Sequence, residues 1–350
     1  MAYTTINKST DYFNTKLYTG NATARTIDVG FQPDLVWGKL RSTTGNHWLW
    51  DSIRGANYYL KSNATDANNT GGVQDLNGFV SNGFTVGTGT RMNTNSGTMA
   101  SWNWKANGAG SANTAGSISS TVSASTTSGF SIVSYTGTGS AGTIGHGLGV
   151  APACIIIKTT STTSDWFVYH QSTGATNRTK LNQTVASATS TFINNTAPSS
   201  TVFNTEGGGA SGTNGETYIA YCFAEKQGYS KFGSYTGNGN ADGTFVYTGF
   251  KPAFVIFKST NVALSHWYMW DSKRNTYNQI NKRLYPNLNN SEGDGSDNNL
   301  DFLSNGFKMR TTNTDSNGNG STYIYMAFAE EPLVGDNPAT ARWLCSYLLT

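Results

Sequence analysis

Four short motifs occur three times each, always in the same order, and this recurrence limits the fold more than any other feature of the chain. The first is Tyr-Thr-Gly, at Tyr18-Thr19-Gly20, Tyr135-Thr136-Gly137 and Tyr235-Thr236-Gly237. The second is a Pro followed by an apolar run that ends in Lys: Pro33 to Lys39, Pro152 to Lys158 and Pro252 to Lys258. The third opens with Trp, at His47-Trp48, Asp165-Trp166 and His266-Trp267. The fourth alternates aromatic residues: Thr98 to Trp104, Thr217 to Phe223 and Thr322 to Phe328. Lys158 follows Lys39 by 119 residues and precedes Lys258 by 100; the tyrosines at 18, 135 and 235 give nearly the same offsets. Ordered motifs at matching spacing predict three copies of one unit of about a hundred residues.

The motifs read as strands. A short apolar run opened by Pro suits a strand start, and Cys154-Ile155-Ile156-Ile157 is β-branched throughout its centre. In the last closing segment Tyr323, Tyr325 and Ala327 fall on one face of a strand, and Ile324, Met326 and Phe328 on the other. No apolar period of 3.6 residues competes with this reading. Charged residues make up only 12% of the chain and the hydrophobic fraction is 37%, a balance that borders on disorder. Nine Trp, 18 Tyr and 17 Phe decide against disorder, because they supply the bulky side chains of a β-core. The expected fold is all-β, with each copy a two-sheet sandwich.

The expected boundaries are 1–106 for the first repeat, 129–228 for the second and 229–331 for the third, with a tail at 332–350. Between the first two lies 107–128, almost wholly Gly, Ala, Ser, Thr and Asn, which reads either as a flexible linker or as a loosely packed edge strand. The second and third repeats join tightly near Gln227-Gly228-Tyr229. The tail segment Arg342 to Leu349 is apolar enough to dock on a neighbouring surface.

Several function classes lose support at this level. Net charge is +3 without a basic block, so clustered phosphate neutralisation is not expected. No apolar run reaches the roughly 20 residues of a membrane-spanning helix, and no signal peptide is visible at the N-terminus. Three cysteines, Cys154, Cys222 and Cys345, are an odd number for a disulfide framework, which fits synthesis in a reducing cytoplasm. Cys154 is expected to be buried and inert, since Leu35 and Phe254 stand at its place in the other copies.

The remaining candidates read mainly as structure. Trp48, Trp166 and Trp267 are taken as equivalent core anchors, alongside Lys39, Lys158 and Lys258. His47 and His266 precede two of these tryptophans and are taken as equivalent; stacking of such a His-Trp pair on a sugar is the rival reading. His146 between glycines is a turn residue. Asp51-Ser52-Ile53-Arg54 and Asp271-Ser272-Lys273-Arg274 repeat an Asp-to-Arg spacing suited to a capped turn with an ion pair. The acidic loop at Asp294 and Asp297 offers weak calcium candidates, but its spacing fails the EF-hand pattern and a solvated loop is the stronger reading. No cofactor motif is present. Glu206 and Glu216 are the carboxylates to watch for glycoside cleavage, although no paired motif marks them.

The run Gly116 to Ser123, then Gly129 to Gly137, Gly145-His146-Gly147-Leu148-Gly149, and the Trp102-Asn103-Trp104-Lys105-Ala106 closing strand resembles a repeat domain of marine bacteriophage virion proteins. That family is described as SPRY-like or concanavalin A-like, and the resemblance spans about residues 12–331. It implies three tandem jelly-roll, concanavalin A-like sandwiches on a particle surface, made in the host cytoplasm, and carries no catalytic residue set. The resulting expectation is a non-enzymatic virion surface protein of tail-fibre or receptor-binding type that recognises host surface glycan. A capsid decoration or head-fibre protein is the alternative, and a glycan depolymerase the second. Expected partners are other virion proteins and host polysaccharide, with no nucleic acid and no membrane insertion; a homo-oligomer, a trimer as in such fibres, is also expected. Tyr58, Tyr59 and Tyr277 are the expected ligand contacts, as loop aromatics.

Overall fold

Each of the three stretches lays down the same four long strands. An opening strand (Phe13–Thr19, Phe130–Thr136, Ser230–Thr236) is followed by a lysine strand (Leu35–Leu40, Cys154–Thr159, Pro252–Ser259). A tryptophan strand (His47–Asp51, Phe167–His170, Trp267–Asp271) and a closing strand (Thr98–Trp104, Thr217–Phe223, Thr322–Ala329) complete the set. In every unit the spatial order is opening, closing, lysine, tryptophan, with all pairings antiparallel. A smaller sheet covers one face of each: Arg25–Asp28 with Leu76–Val80 and Gly83–Val86, Gly142–Gly145 with Val202–Thr205, and Phe245–Tyr247 with Leu300–Leu303 and Gly306–Met309. The computed structural model describes residues 4–71, 74–295 and 297–332, and is all-β, 42% strand against 3% helix. The tail from 333, with Cys345 and the Arg342 to Leu349 segment, lies outside the described residues.

Alternation along the closing strand sends side chains into two cores. Ile324, Met326 and Phe328 enter a cluster shared by all three units, while Tyr323, Tyr325 and Ala327 pack under the unit's own small sheet. The other two closing strands split the same way. Burial on both faces explains why the second and third closing strands show no polar alternation; the first differs, with buried Ser101 and Asn103 on one face. Sandwiches in tandem would each hold a private core; here a further core joins them. Its centre is a triangle of equivalent residues, Trp104, Phe223 and Phe328, with ring centroids 6.2, 5.8 and 6.1 Å apart.

The units close into a ring. Asn68 N–H donates to Thr160 O at 2.8 Å, Ser187 N–H to Thr260 O at 2.8 Å, and Glu292 N–H to Arg41 O at 2.9 Å. These three bonds link first to second, second to third and third to first. The three motif lysines sit at the same seams. Lys158 Nζ donates to Thr65 O at 3.2 Å and Thr159 O at 2.8 Å; Lys258 Nζ reaches Thr184 O at 3.4 Å and Ser259 O at 3.0 Å. Lys39 Nζ donates to Leu40 O and Gly45 O, both at 2.8 Å, and Gly45 N–H in turn donates to Asn289 O of the third unit. All three lysines are buried, and burial pulls each ammonium down to about 8.

The stretch 107–128 is not a flexible linker. Ser111–Asn113 and Ser120–Ser125 are strands, and the second pairs along the opening strand from Ser120–Tyr135 to Ser125–Phe130. At Gly116 crowding excludes a side chain: a Cβ there would lie 2.2 Å from Thr143 O. The junction at Gln227 to Tyr229 is the tight turn expected, with Tyr229 N–H donating to Lys226 O at 3.0 Å.

One register differs from expectation. In the ladder Lys39 faces His47, Ile157 faces Phe167 and Lys258 faces Trp267, so His47 is the equivalent of Trp166 and Trp267. Trp48 is displaced by one residue and therefore points to the opposite face, against Trp50 and Tyr59. His47 and His266 are accordingly not equivalent.

Candidate functional site

The opposite face of the tryptophan strand carries a position that varies in a correlated way. Trp48, Phe167 and Tyr268 occupy it, across from Gly38, Ile157 and Phe257. A tight turn lies beside it, held by the motif tyrosine. Tyr18 Oη donates to Met92 O at 2.7 Å, Tyr135 Oη to Ser211 O at 2.9 Å and Tyr235 Oη to Ser316 O at 2.8 Å. Burial pushes all three phenols up, so they remain neutral donors.

The residue before each acceptor faces the aromatic position, and it is Arg91, Ala210 or Asp315. In the first unit the Arg91 guanidinium lies 5.2 Å from the Trp48 ring and 4.8 Å from that of Tyr59, and pairs with Asp75 at 2.6 Å. In the third, Asp315 Oδ2 accepts from Tyr268 Oη at 2.8 Å, and Tyr285 closes over the same ring. In the second, Ala210 reaches nothing polar with its side chain. A wide groove of about 650 Å³ opens there, with Phe167 in its floor and Arg178, Thr191, Ser190 and Glu206 among its walls. A smaller recess of about 410 Å³ beside Arg91 is lined by a pair already joined to itself.

The groove's charges are differently placed. The Arg178 guanidinium lies 5.2 Å from the Phe167 ring, its one hydrogen bond is a long 3.4 Å contact to Ser190 Oγ, and it has no carboxylate partner among the described residues. Glu206 accepts from Thr191 Oγ1 on one oxygen and from Ala210 N–H on the other, each at 2.7 Å. A half-buried donor fork and a half-buried acceptor thus flank one opening. Glu216, which accepts from Tyr218 Oη at 3.2 Å, does not line it.

The tyrosines expected to touch ligand do not line this groove either. Tyr58 is 41% exposed and Tyr277 84%, whereas Tyr59 is 6% exposed, sits in the strand Tyr58–Lys61 and is packed under Arg91 rather than displayed on a loop. Asp297 is engaged by Arg283 at 2.6 Å, which holds its carboxyl below the usual range, and Asp294 is exposed opposite Lys282. Among the described residues no three His, Cys, Asp or Glu side chains gather as metal ligands would. His146 is buried just after the strand Gly142–Gly145: its Nδ1 accepts from Leu148 N–H, leaving Nε2 to donate to Ser199 O. Cys154 and Cys222 are buried in strands, and burial pushes the Cys154 thiol up to about 12, far from a reactive thiolate.

Fold and groove together define an all-β protein of three repeated units closed around one aromatic core. The chain matches a domain of unknown function (DUF7483) over residues 8–332 and belongs to that family. The match runs through all three units, as a shared core requires of them. No curated protein and no solved structure matches the chain.

Proposed function

We propose that this is a non-enzymatic surface protein of a bacteriophage particle, a receptor-binding component of tail-fibre type that recognises host surface glycan. The groove beside Ala210 carries the reading: hydroxyl groups, a guanidinium and a carboxylate arranged over an aromatic floor suit a ligand rich in hydroxyls. The resemblance of the repeats to marine bacteriophage virion domains supports the location, and under it each unit is a reduced concanavalin A-like sandwich. A depolymerase has less in its favour, because among the described residues Glu206 is the single carboxylate lining the groove and glycoside cleavage ordinarily uses two. One observation favours a second reading, a capsid decoration protein. The three units surround a nearly equilateral triangle of Trp104, Phe223 and Phe328, and such a ring can sit on a three-fold position of a shell with three similar contacts.

Gold-labelled antibody against the protein, applied to purified particles, tests both. Label at the tail is the expected result. Label spread over the capsid faces selects decoration, and particles that lack the protein overturn the proposal.

A further inference from the structure

We infer that the second unit's groove is a subsite for an uncharged saccharide, whose hydroxyls donate to Glu206 and accept from Arg178. The inference rests on the glycan reading above and narrows it to one unit and one ligand class.

The argument begins with the side chain that is missing. Arg91 and Asp315 fill or neutralise this place in the sister units, while the methyl group of Ala210 leaves it open. A volume near 650 Å³ falls within the range of roughly 300–1,000 Å³ typical of small-ligand pockets. Polar capacity is left over on both sides. Each Glu206 oxygen accepts a single hydrogen bond within the chain, at 2.7 Å, and a carboxylate has about four acceptor sites. Arg178 has five N–H donors and makes one long contact. Sugar hydroxyls both donate and accept, so neighbouring hydroxyls on one ring can satisfy both groups at once.

Charge decides between neutral and acidic sugars. In the sister units Arg91, at the place of Ala210, and Arg283, at the place of Arg178, are each paired with an aspartate, so their charge is answered within the chain. Arg178 instead shares the lining of the groove with Glu206 and forms no ion pair with it. A ligand carboxylate drawn to Arg178 would meet Glu206, whereas an uncharged ring meets no like charge.

Calorimetric titration of the full chain with hexamers of glucose, of galactose and of galacturonic acid tests this. Saturable binding of at least one neutral hexamer at one site per chain is expected. Ala210→Arg, which installs the first unit's residue at a place only 6% exposed, is expected to weaken that binding at least tenfold in protein whose circular dichroism shows it folded. Glu206→Gln is expected to weaken it as well, in a side chain of the same shape should the larger substitution not fold. Absence of saturation with both neutral hexamers overturns the inference, as does equal affinity in the folded variants or tighter binding of the galacturonate. Gold label on the particle with no saccharide binding removes this inference and leaves the virion reading standing; saccharide binding without label does the reverse.

Discussion

Trp102 Nε1 donates to Asp271 Oδ2 at 3.0 Å, a side-chain bond that closes the third unit onto the first. The same place in the next seam holds Asp51, which accepts from Tyr221 Oη at 2.8 Å. In the remaining seam the facing residue is Met326, which has no donor, and the aspartate is replaced by His170, whose Nε2 donates to Tyr325 O at 3.1 Å. The two buried aspartates each hold an arginine, Asp51 with Arg54 at 2.6 Å and Asp271 with Arg274 at 2.5 Å. The Asp-to-Arg spacing thus serves the ring as well as the turn.

Removing the aspartate of such a pair takes away the closest partner of a buried charge. Asp271→Ala leaves the fully buried Arg274 with Glu292 at 3.2 Å as its remaining carboxylate and is expected to lower stability by about 1.5–3 kcal/mol. The double change Asp271→His with Arg274→Thr copies the second unit's solution, His170 with Thr173, and should cost less than the single change. Urea midpoints of the three proteins check this; a double variant weaker than Asp271→Ala would contradict it.

The central triangle makes folding a property of the whole ring. Truncating Phe328 to Ala removes a ring that faces Trp104 and Phe223 at once, and is expected to cost about 3–5 kcal/mol. Because all three main sheets share that core, calorimetry of the parent protein should give one cooperative transition. Three separable transitions would mean that the units are independent.

Much of this was readable from residues. The faces of Tyr323 to Phe328 follow from strand periodicity, and the lysine spacing placed Lys39, Lys158 and Lys258 on equivalent strands. Trp48 misled because aromatic identity was matched where ladder register governs, and a slip of one residue turns a side chain to the other face. The stretch 107–128 left a flexible linker and an edge strand both open, because its small residues show no apolar alternation; the pairing of Ser120–Ser125 with Phe130–Thr136 decides for the strand. The groove was invisible for a related reason. It is marked by an alanine, and Ala210 stands out only when the turn is aligned on the tyrosine bonds to Met92, Ser211 and Ser316.

The three seam lysines give the protein a defined pH dependence. Each has its folded value lowered to about 8 from 10.5 by burial. Between those values the unfolded chain binds more protons than the folded one, so stability rises with pH. The contribution is complete above 10.5 and is lost as pH falls through about 8. Above 10 the buried tyrosines Tyr18, Tyr135 and Tyr235, whose phenols are pushed up, oppose the trend. Denaturant unfolding at intervals from pH 7 to 10 should therefore show increasing stability, and Lys258→Met should flatten the slope. A profile that falls across that window would show the lysines to be charged and content in their seams.

The exchange between His47 and Trp37 offers the sharpest test of the register. Trp37 Nε1 donates to His47 Nδ1 at 2.9 Å, and both side chains are buried. Burial holds His47 well below its usual value, so Nδ1 stays free to accept. At the same two places the second unit has Ile156 and Trp166, and the third has Ile256 and Trp267. The large ring has changed strands while the pair keeps a similar total volume. His47→Trp alone overpacks the shared core beside Trp37 and is expected to cost about 1–3 kcal/mol. Adding Trp37→Ile restores the arrangement of the other two units and should recover most of that loss. The double-mutant cycle is expected to show favourable coupling of about 1 kcal/mol or more, since the residues touch. Additive effects would mean that His47 does not stand where Trp166 and Trp267 stand, and the equivalence of the three tryptophan strands would fall with it.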